Sequence, residues 1–175
     1  MRQNGKNVSP MSNEGRNAYV ITHITDAMLE LLAEKTMEEI SISELVDRAQ
    51  VGRASFYRNY NTKEDILRAQ IDRLFHGWAE DAPKGLSLSE MIESLFCHFT
   101  ENQAFYGLLN RRGLIYLLKD SLMALCGPKL EHSKVEAYTS AFVAYTLYGW
   151  IEVWFARGMQ ETPQEMAEMS KSQGL

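Results

Sequence analysis

The sequence predicts an all-α protein, a three-helix head followed by a larger helical body. Three observations carry this. All four prolines, Pro10, Pro83, Pro128 and Pro163, stand between periodic segments or at their starts. A proline inside a helix costs about 3 kcal/mol, so this placement spares every helix. Apolar residues recur at helical spacing, and no Asn-Gly or Asp-Gly stands between two alternating, strand-like runs. Finally, 175 residues with 45% hydrophobic and 23% charged side chains can bury a sizeable interior, which excludes disorder for most of the chain.

The elements follow in order. Residues 1–17 read as a polar, flexible arm. Met1 to Arg16 lacks the apolar core of a signal peptide, which points to the cytoplasm. A helix is predicted from Ala18 to Ala33, with Val20, Ile24, Ala27, Met28 and Leu31 on one stripe. Two short helices follow, and then a longer one with its stripe at Leu67, Ile71, Leu74, Phe75 and Trp78. The segment Ala82-Pro83-Lys84-Gly85 is the natural boundary, giving a head over 18–80 and a body over 86–175. In the body, Ser87 and Glu90 form a capping box that opens a helix to about Glu101. A short piece at 103–109 and a helix from Leu114 to Cys126 come next, stopped by Gly127-Pro128. The long apolar helix runs from about Ser133 to Arg157. Thr162, Pro163 and Glu165 then supply the N-cap, N1 and N3 positions of a short last helix.

The stretch 40–67 carries the chemistry. Ser41 and Glu44 are spaced as a capping box, so a helix begins at Ile42 and turns Leu45, Val46 and Ala49 inward. After a tight turn at Gln50-Val51-Gly52, a second helix starts at Arg53. At about 100° per residue, Phe56 and Tyr60 share one side and Arg58 lies opposite, beside Ala54 and Ser55, with Tyr57 on the flank. Small residues and an arginine facing outward suit a major groove. Arg48, Arg53, Arg58 and Lys63 fall within sixteen residues that contain no acid, although residues 1–80 hold ten basic and twelve acidic side chains. The positive charge is concentrated, not spread. Lys63 sits near a helix start, where its charge is unfavourable unless an anion such as a phosphate lies close by.

These residues resemble the DNA-binding region of the TetR family of transcriptional regulators. The resemblance covers about residues 18–78. It rests on Ile24 and Ala27, Ile40-Ser41-Ile42, Leu45-Val46, Ala49, Val51, and Phe56-Tyr57-Arg58-Asn59-Tyr60 followed by Lys63-Glu64-Asp65-Ile66-Leu67. It implies a helix-turn-helix over about 41–60, with Arg53, Ala54, Ser55 and Arg58 on the recognition helix. Ser41, Tyr57 and Lys63 then occupy phosphate-contacting positions. Two residues depart from the pattern. Gln50 stands where the family usually has glycine, and Gly52 stands where a Ser or Thr N-cap is common. The C-terminal run Tyr148-Gly149-Trp150-Ile151-Glu152, with Trp154, Gly158 and Thr162-Pro163-Gln164-Glu165-Met166-Ala167, is similar to a Firmicutes-type TetR subgroup that includes activators of dihydroxyacetone kinase genes.

For the body, the expectation is regulation and dimerisation. Ala137 to Ile151 carries no charge, yet it is too short for a membrane span and reads as a helix buried on both sides. No membrane association is expected. Leu147, Trp150, Ile151 and Trp154 are the candidates for a homodimer interface. Of the abundant aromatics, which are first of all core, Phe96, Tyr116, Tyr138, Phe142 and Tyr145 are the candidates for an effector pocket. The four histidines and two cysteines lack metal-ligand spacing, and enzyme signatures are absent, so no metal, cofactor or catalytic residue is expected. The expected function is a DNA-binding regulator with a double-stranded operator as its partner. It represses as a homodimer on a near-palindromic site and is released by an unidentified small-molecule or protein effector. The alternative is an activator that binds a protein partner through the body.

Overall fold

The computed structural model describes residues 13–83 and 85–173. Among them the order is α1 (Asn13–Glu34), α2 (Ile42–Arg48), α3 (Arg53–Asn59), α4 (Glu64–Asp81), α5 (Leu88–Glu101), α6 (Gln103–Arg111), a 3-10 turn (Ile115–Leu117), α7 (Leu118–Cys126), α8 (Lys134–Ala156) and α9 (Pro163–Ser172). The described chain is all-helical, as expected. Its two compact units divide after Ile66, within α4.

In the first unit, α1 presents Ile24, Ala27, Met28, Leu31 and Leu32 to a core shared with Leu45 and Val46 of α2 and Phe56 of α3. Helix α1 starts five residues before the expected Ala18. Residues 13–17 of the expected arm therefore belong to a helix, and residues 1–12 lie outside the described residues. Residues 13–17 hold no apolar side chain, so the apolar stripe that marks the helix does not reach them.

In the second unit, α5 packs along α9, and α7 packs along α8. The capping boxes at Ser87/Glu90 and Thr162/Glu165 form as expected, and Ser133/Glu136 makes a third at the start of α8. The expected helix from Leu114 instead opens with a 3-10 turn before α7. Gly113, at φ +70°, redirects the chain just ahead of it. Aromatic rings dominate the interior. Phe99 meets Tyr106 at 4.8 Å and Phe155 at 5.5 Å between centroids, and Phe96 meets Trp154 at 5.1 Å.

One polar pair lies inside this cluster. His98 Nε2 and the Tyr106 hydroxyl share a 2.8 Å hydrogen bond, and the imidazole stacks on Phe75. Burial disfavours the imidazolium and lowers the His98 pKa to about 4. The unfolded chain takes up this proton near pH 6.5 and the folded chain does not. Stability is therefore full above pH 6.5 and falls as pH drops toward 4, by a total on the order of 3 kcal/mol. Melting temperatures between pH 7 and 4.5 should show the loss. His98→Gln should flatten the profile over that range.

Burial divides both sets of residues expected at sites in the body. Leu147, Ile151 and Trp154, expected at a subunit interface, are buried within the body, and only Trp150 of that set is half-exposed. Of the five effector-pocket candidates, Phe96 is fully buried in the core. Tyr116, Tyr138, Phe142 and Tyr145 are 52%, 74%, 58% and 56% exposed. The five are divided between interior and surface. The physical reason is that α8 is apolar nearly all round, so spacing alone does not say which side meets its own chain. Among the described residues, no helix is long and apolar enough to cross a membrane.

Candidate nucleic-acid interface

The site is built by α2, the turn after it, and α3. Ser41 caps α2 by accepting a hydrogen bond from the Glu44 amide at 3.2 Å. The reciprocal half of the expected box is missing, because the Glu44 carboxylate turns to Lys35 instead. That lysine holds the Glu44 carboxyl below its usual pKa. The turn closes through Val51 N donating to Val46 O at 3.0 Å, and it forces Gln50 to φ +54°. A side chain in this left-handed region carries strain of about 1–2 kcal/mol. Gln50→Gly is therefore expected to stabilise the head by about 0.5–1 kcal/mol after glycine's extra unfolded-state entropy is subtracted, read as a higher denaturant midpoint at unchanged m-value.

Gly52 is the N-cap of α3 and makes no side-chain cap bond. From there the helix divides as its spacing requires. Phe56 and Tyr60 are buried and lie 6.0 Å apart between ring centroids. Arg53, Ala54, Tyr57 and Arg58 are exposed, and Ser55 is half-buried. The Arg53 guanidinium lies 5.9 Å from the Tyr57 ring centroid, which restrains both side chains on one flank. Asn59 Nδ2 donates to the Ser55 carbonyl at 2.9 Å and ties down the last turn. The exposed face thus offers two guanidiniums, a phenol and two small residues on a rigid ridge. Guanidiniums can bind guanine edges or phosphates in two-pronged fashion, and small residues let the helix approach closely.

The other expected cations are differently placed. Arg48 pairs with Glu30 and Glu34 of α1, each at 3.2 Å, so it braces α2 against α1. Lys63 donates from Nζ to the carbonyls of Met37 and Ile40, at 2.5 and 2.6 Å. It ties the start of α4 to the segment before α2. An ammonium has three donors, so Lys63 can hold these carbonyls and still offer one to a phosphate. The Asp65 carboxylate accepts from the amides of Asn61 and Thr62, at 2.9 and 2.8 Å, and fixes the loop that carries Lys63.

A cleft of about 560 Å³ adjoins α3, lined by Asn13, Arg16, Asn17 and Tyr19 of α1 and by Ser55, Arg58 and Asn59. Arg16 and Arg58 face one hollow. The sequence reading missed the α1 side of this surface because it began the helix too late.

Two family models match the chain. Residues 24–69 match the bacterial regulatory proteins of the tetR family, and residues 87–172 match a transcriptional regulator C-terminal region. An uncharacterised HTH-type transcriptional regulator, YxbF of Bacillus subtilis (strain 168), is 31% identical over 57% of this chain, which spans 28% of that relative's length. A TetR transcriptional regulator from Streptococcus agalactiae 2603V has a similar fold. Its TM-score is 0.59 at 18% identity, covering 89% of this chain and 93% of that one. The tetR-family match includes α2, α3 and the first turns of α4, the elements that form the exposed basic ridge, and the second match follows it through the body. Over residues 24–69 the chain is thus similar to the TetR family of bacterial regulatory proteins, and over residues 87–172 to a transcriptional regulator C-terminal region.

Proposed function

We propose that the protein is a repressor that occupies a near-palindromic operator as a homodimer and leaves it when an effector binds the body. The division of α3 into a buried aromatic side and an exposed Arg53–Ala54–Tyr57–Arg58 side carries this reading. In it, residues 18–80 are the DNA-reading head, extended by Asn13–Asn17, and residues 86–175 are the effector and dimerisation body. Arg53, Ala54, Ser55 and Arg58 enter the major groove, while Ser41, Tyr57 and Lys63 contact phosphates.

Two features of the body support the rest. Val135, Tyr138, Phe142, Tyr145 and Gly149 recur at i, i+3, i+7, i+10 and i+14 along α8, and its four side chains that have bulk are exposed. This is the spacing that a seam between two helices packed side by side would use, and a Cβ at Gly149 would meet nothing within 4 Å of its own chain. Left open, such a stripe is a contiguous apolar patch of the kind that marks an interaction surface. A two-fold partner covers it with its own copy. Second, a cavity of about 320 Å³ is lined by Trp78 and Ala79 of α4, Leu95 of α5, Leu122 and Cys126 of α7, and Leu147 of α8. A ligand there would act on the helix whose first turn follows Lys63.

The test is fluorescence anisotropy of the full chain on duplex DNA from upstream of its own gene. Saturable binding is expected, with log K falling against log salt by about 0.9 per phosphate neutralised. Equal affinity for this DNA and for a shuffled duplex would overturn the reading. Loss of binding on adding a protein partner, with no response to small molecules, would move the effector to the protein class.

A further inference from the structure

Two helices of the head face each other across the cleft beside α3 with matching polar stripes. On α1, Asn13, Arg16 and Asn17 stand at i, i+3 and i+4, and on α3 Ser55, Arg58 and Asn59 do the same. That spacing puts each trio on one helix face, and both trios line the hollow of about 560 Å³. All six residues are exposed or half-buried, so each is open to a ligand. Among the described residues, no carboxylate lines the hollow. Two guanidiniums, three carboxamides and a hydroxyl meet there without an acid between them.

Charge decides what such a hollow takes. Guanidiniums that share a space repel each other, and an anion seated between them turns that cost into attraction. The walls are already held in place. Asn59 is tied to the Ser55 carbonyl at 2.9 Å, and the Tyr19 ring at the rim lies 3.9 Å from the His23 ring between centroids. Both walls are helices that pack on each other within one compact unit, so little ordering remains for an anion to impose.

We infer that the hollow seats one phosphodiester of the operator, gripped from two sides. Arg16, with Asn13 and Asn17, holds the phosphate from α1, and Arg58 stands on the α3 side, where the strand borders the major groove. The volume exceeds what one phosphate fills and leaves room for its flanking sugars. The phosphate chemistry follows from these residues alone. That the phosphate belongs to an operator strand rests on the repressor reading.

A methylphosphonate scan of the native duplex tests the inference, with each phosphate made neutral in turn and affinity read by anisotropy. Arg16→Ala should weaken binding to native and shuffled duplexes by the same factor, about tenfold, and lower the salt slope by about 0.9. At one phosphate per half-site, neutralisation should cost the wild type affinity and cost Arg16→Ala almost none, because its partner there is already gone. Asn17→Asp keeps both arginines and adds an acid to the hollow, so it should weaken binding more than Asn17→Ala does. A helical Arg16→Ala protein with wild-type affinity, or a scan that costs both proteins equally at every phosphate, would overturn the inference. Calorimetric titration with inorganic pyrophosphate separates it from the repressor reading. If the wild type bound no DNA, saturable pyrophosphate binding weakened by both Arg16→Ala and Arg58→Ala would uphold the hollow as a phosphate site and overturn only the operator. Failure to bind either DNA or pyrophosphate would overturn both.

Discussion

Arg58→Ala is expected to weaken operator binding about 10- to 100-fold, the 1–3 kcal/mol of a lost two-pronged contact, and to leave folding unchanged. Arg58 is exposed, forms no ion pair among the described residues, and lies on the side of α3 opposite the buried Phe56. Truncation should therefore touch only the DNA. The contrast with Lys63→Ala makes the test sharp. That variant leaves the Met37 and Ile40 carbonyls without their donor, so it should lower head stability by about 1–3 kcal/mol as well as affinity. Chemical denaturation beside anisotropy on the native operator separates the two. An Arg58→Ala protein that melts normally and still binds at wild-type affinity would remove α3 from the groove.

The second large effect lies on α8. Phe142→Glu or Tyr145→Glu places a charge in the middle of the exposed stripe, and it should give folded monomers that bind the two-half-site operator at least about 100-fold more weakly. Each head would then bind without the partner that raises its effective concentration. Ile151→Arg should behave differently. Ile151 is fully buried beside Trp154 and Phe155, so the variant buries an unpaired charge and should unfold the body. Sedimentation velocity and circular dichroism distinguish a helical monomer from an unfolded chain. Dimers persisting in both Glu variants would assign the stripe to another surface.

Much of this was legible in the sequence, for reasons that particular residues make plain. Proline placement and N-cap spacing marked most helix boundaries, because a missing N–H or an unsatisfied N-terminal amide is a local matter. The division of α3 followed from the eight residues 53–60 alone, since Phe56 and Tyr60 are the only large apolar side chains on its core side. Tertiary choices were not legible. Nothing in the spacing of Arg48 shows that it meets Glu30 and Glu34, eighteen and fourteen residues away, instead of facing DNA. Lys63 likewise reaches back more than twenty residues to its carbonyl partners. On α8, apolar residues cover both sides, and only packing within the body, against α7 and α6, decides that Leu147 and Ile151 go in while Tyr138 and Phe142 stay out. Gln50 is the instructive middle case. Its departure from the usual glycine marked the turn, and the structure gives that departure a measurable backbone strain.

Hydroxyl-radical footprinting of the full chain on its own upstream DNA examines the heads and their pairing together. Two α3 helices carried by one symmetric dimer should protect two patches on the same face of the duplex, centred about 34–36 Å apart, one helical turn. With Arg58→Ala both patches should need about 10- to 100-fold more protein to appear. A single protected patch, or even protection along the whole fragment, would contradict a dimer that reads its operator through α3.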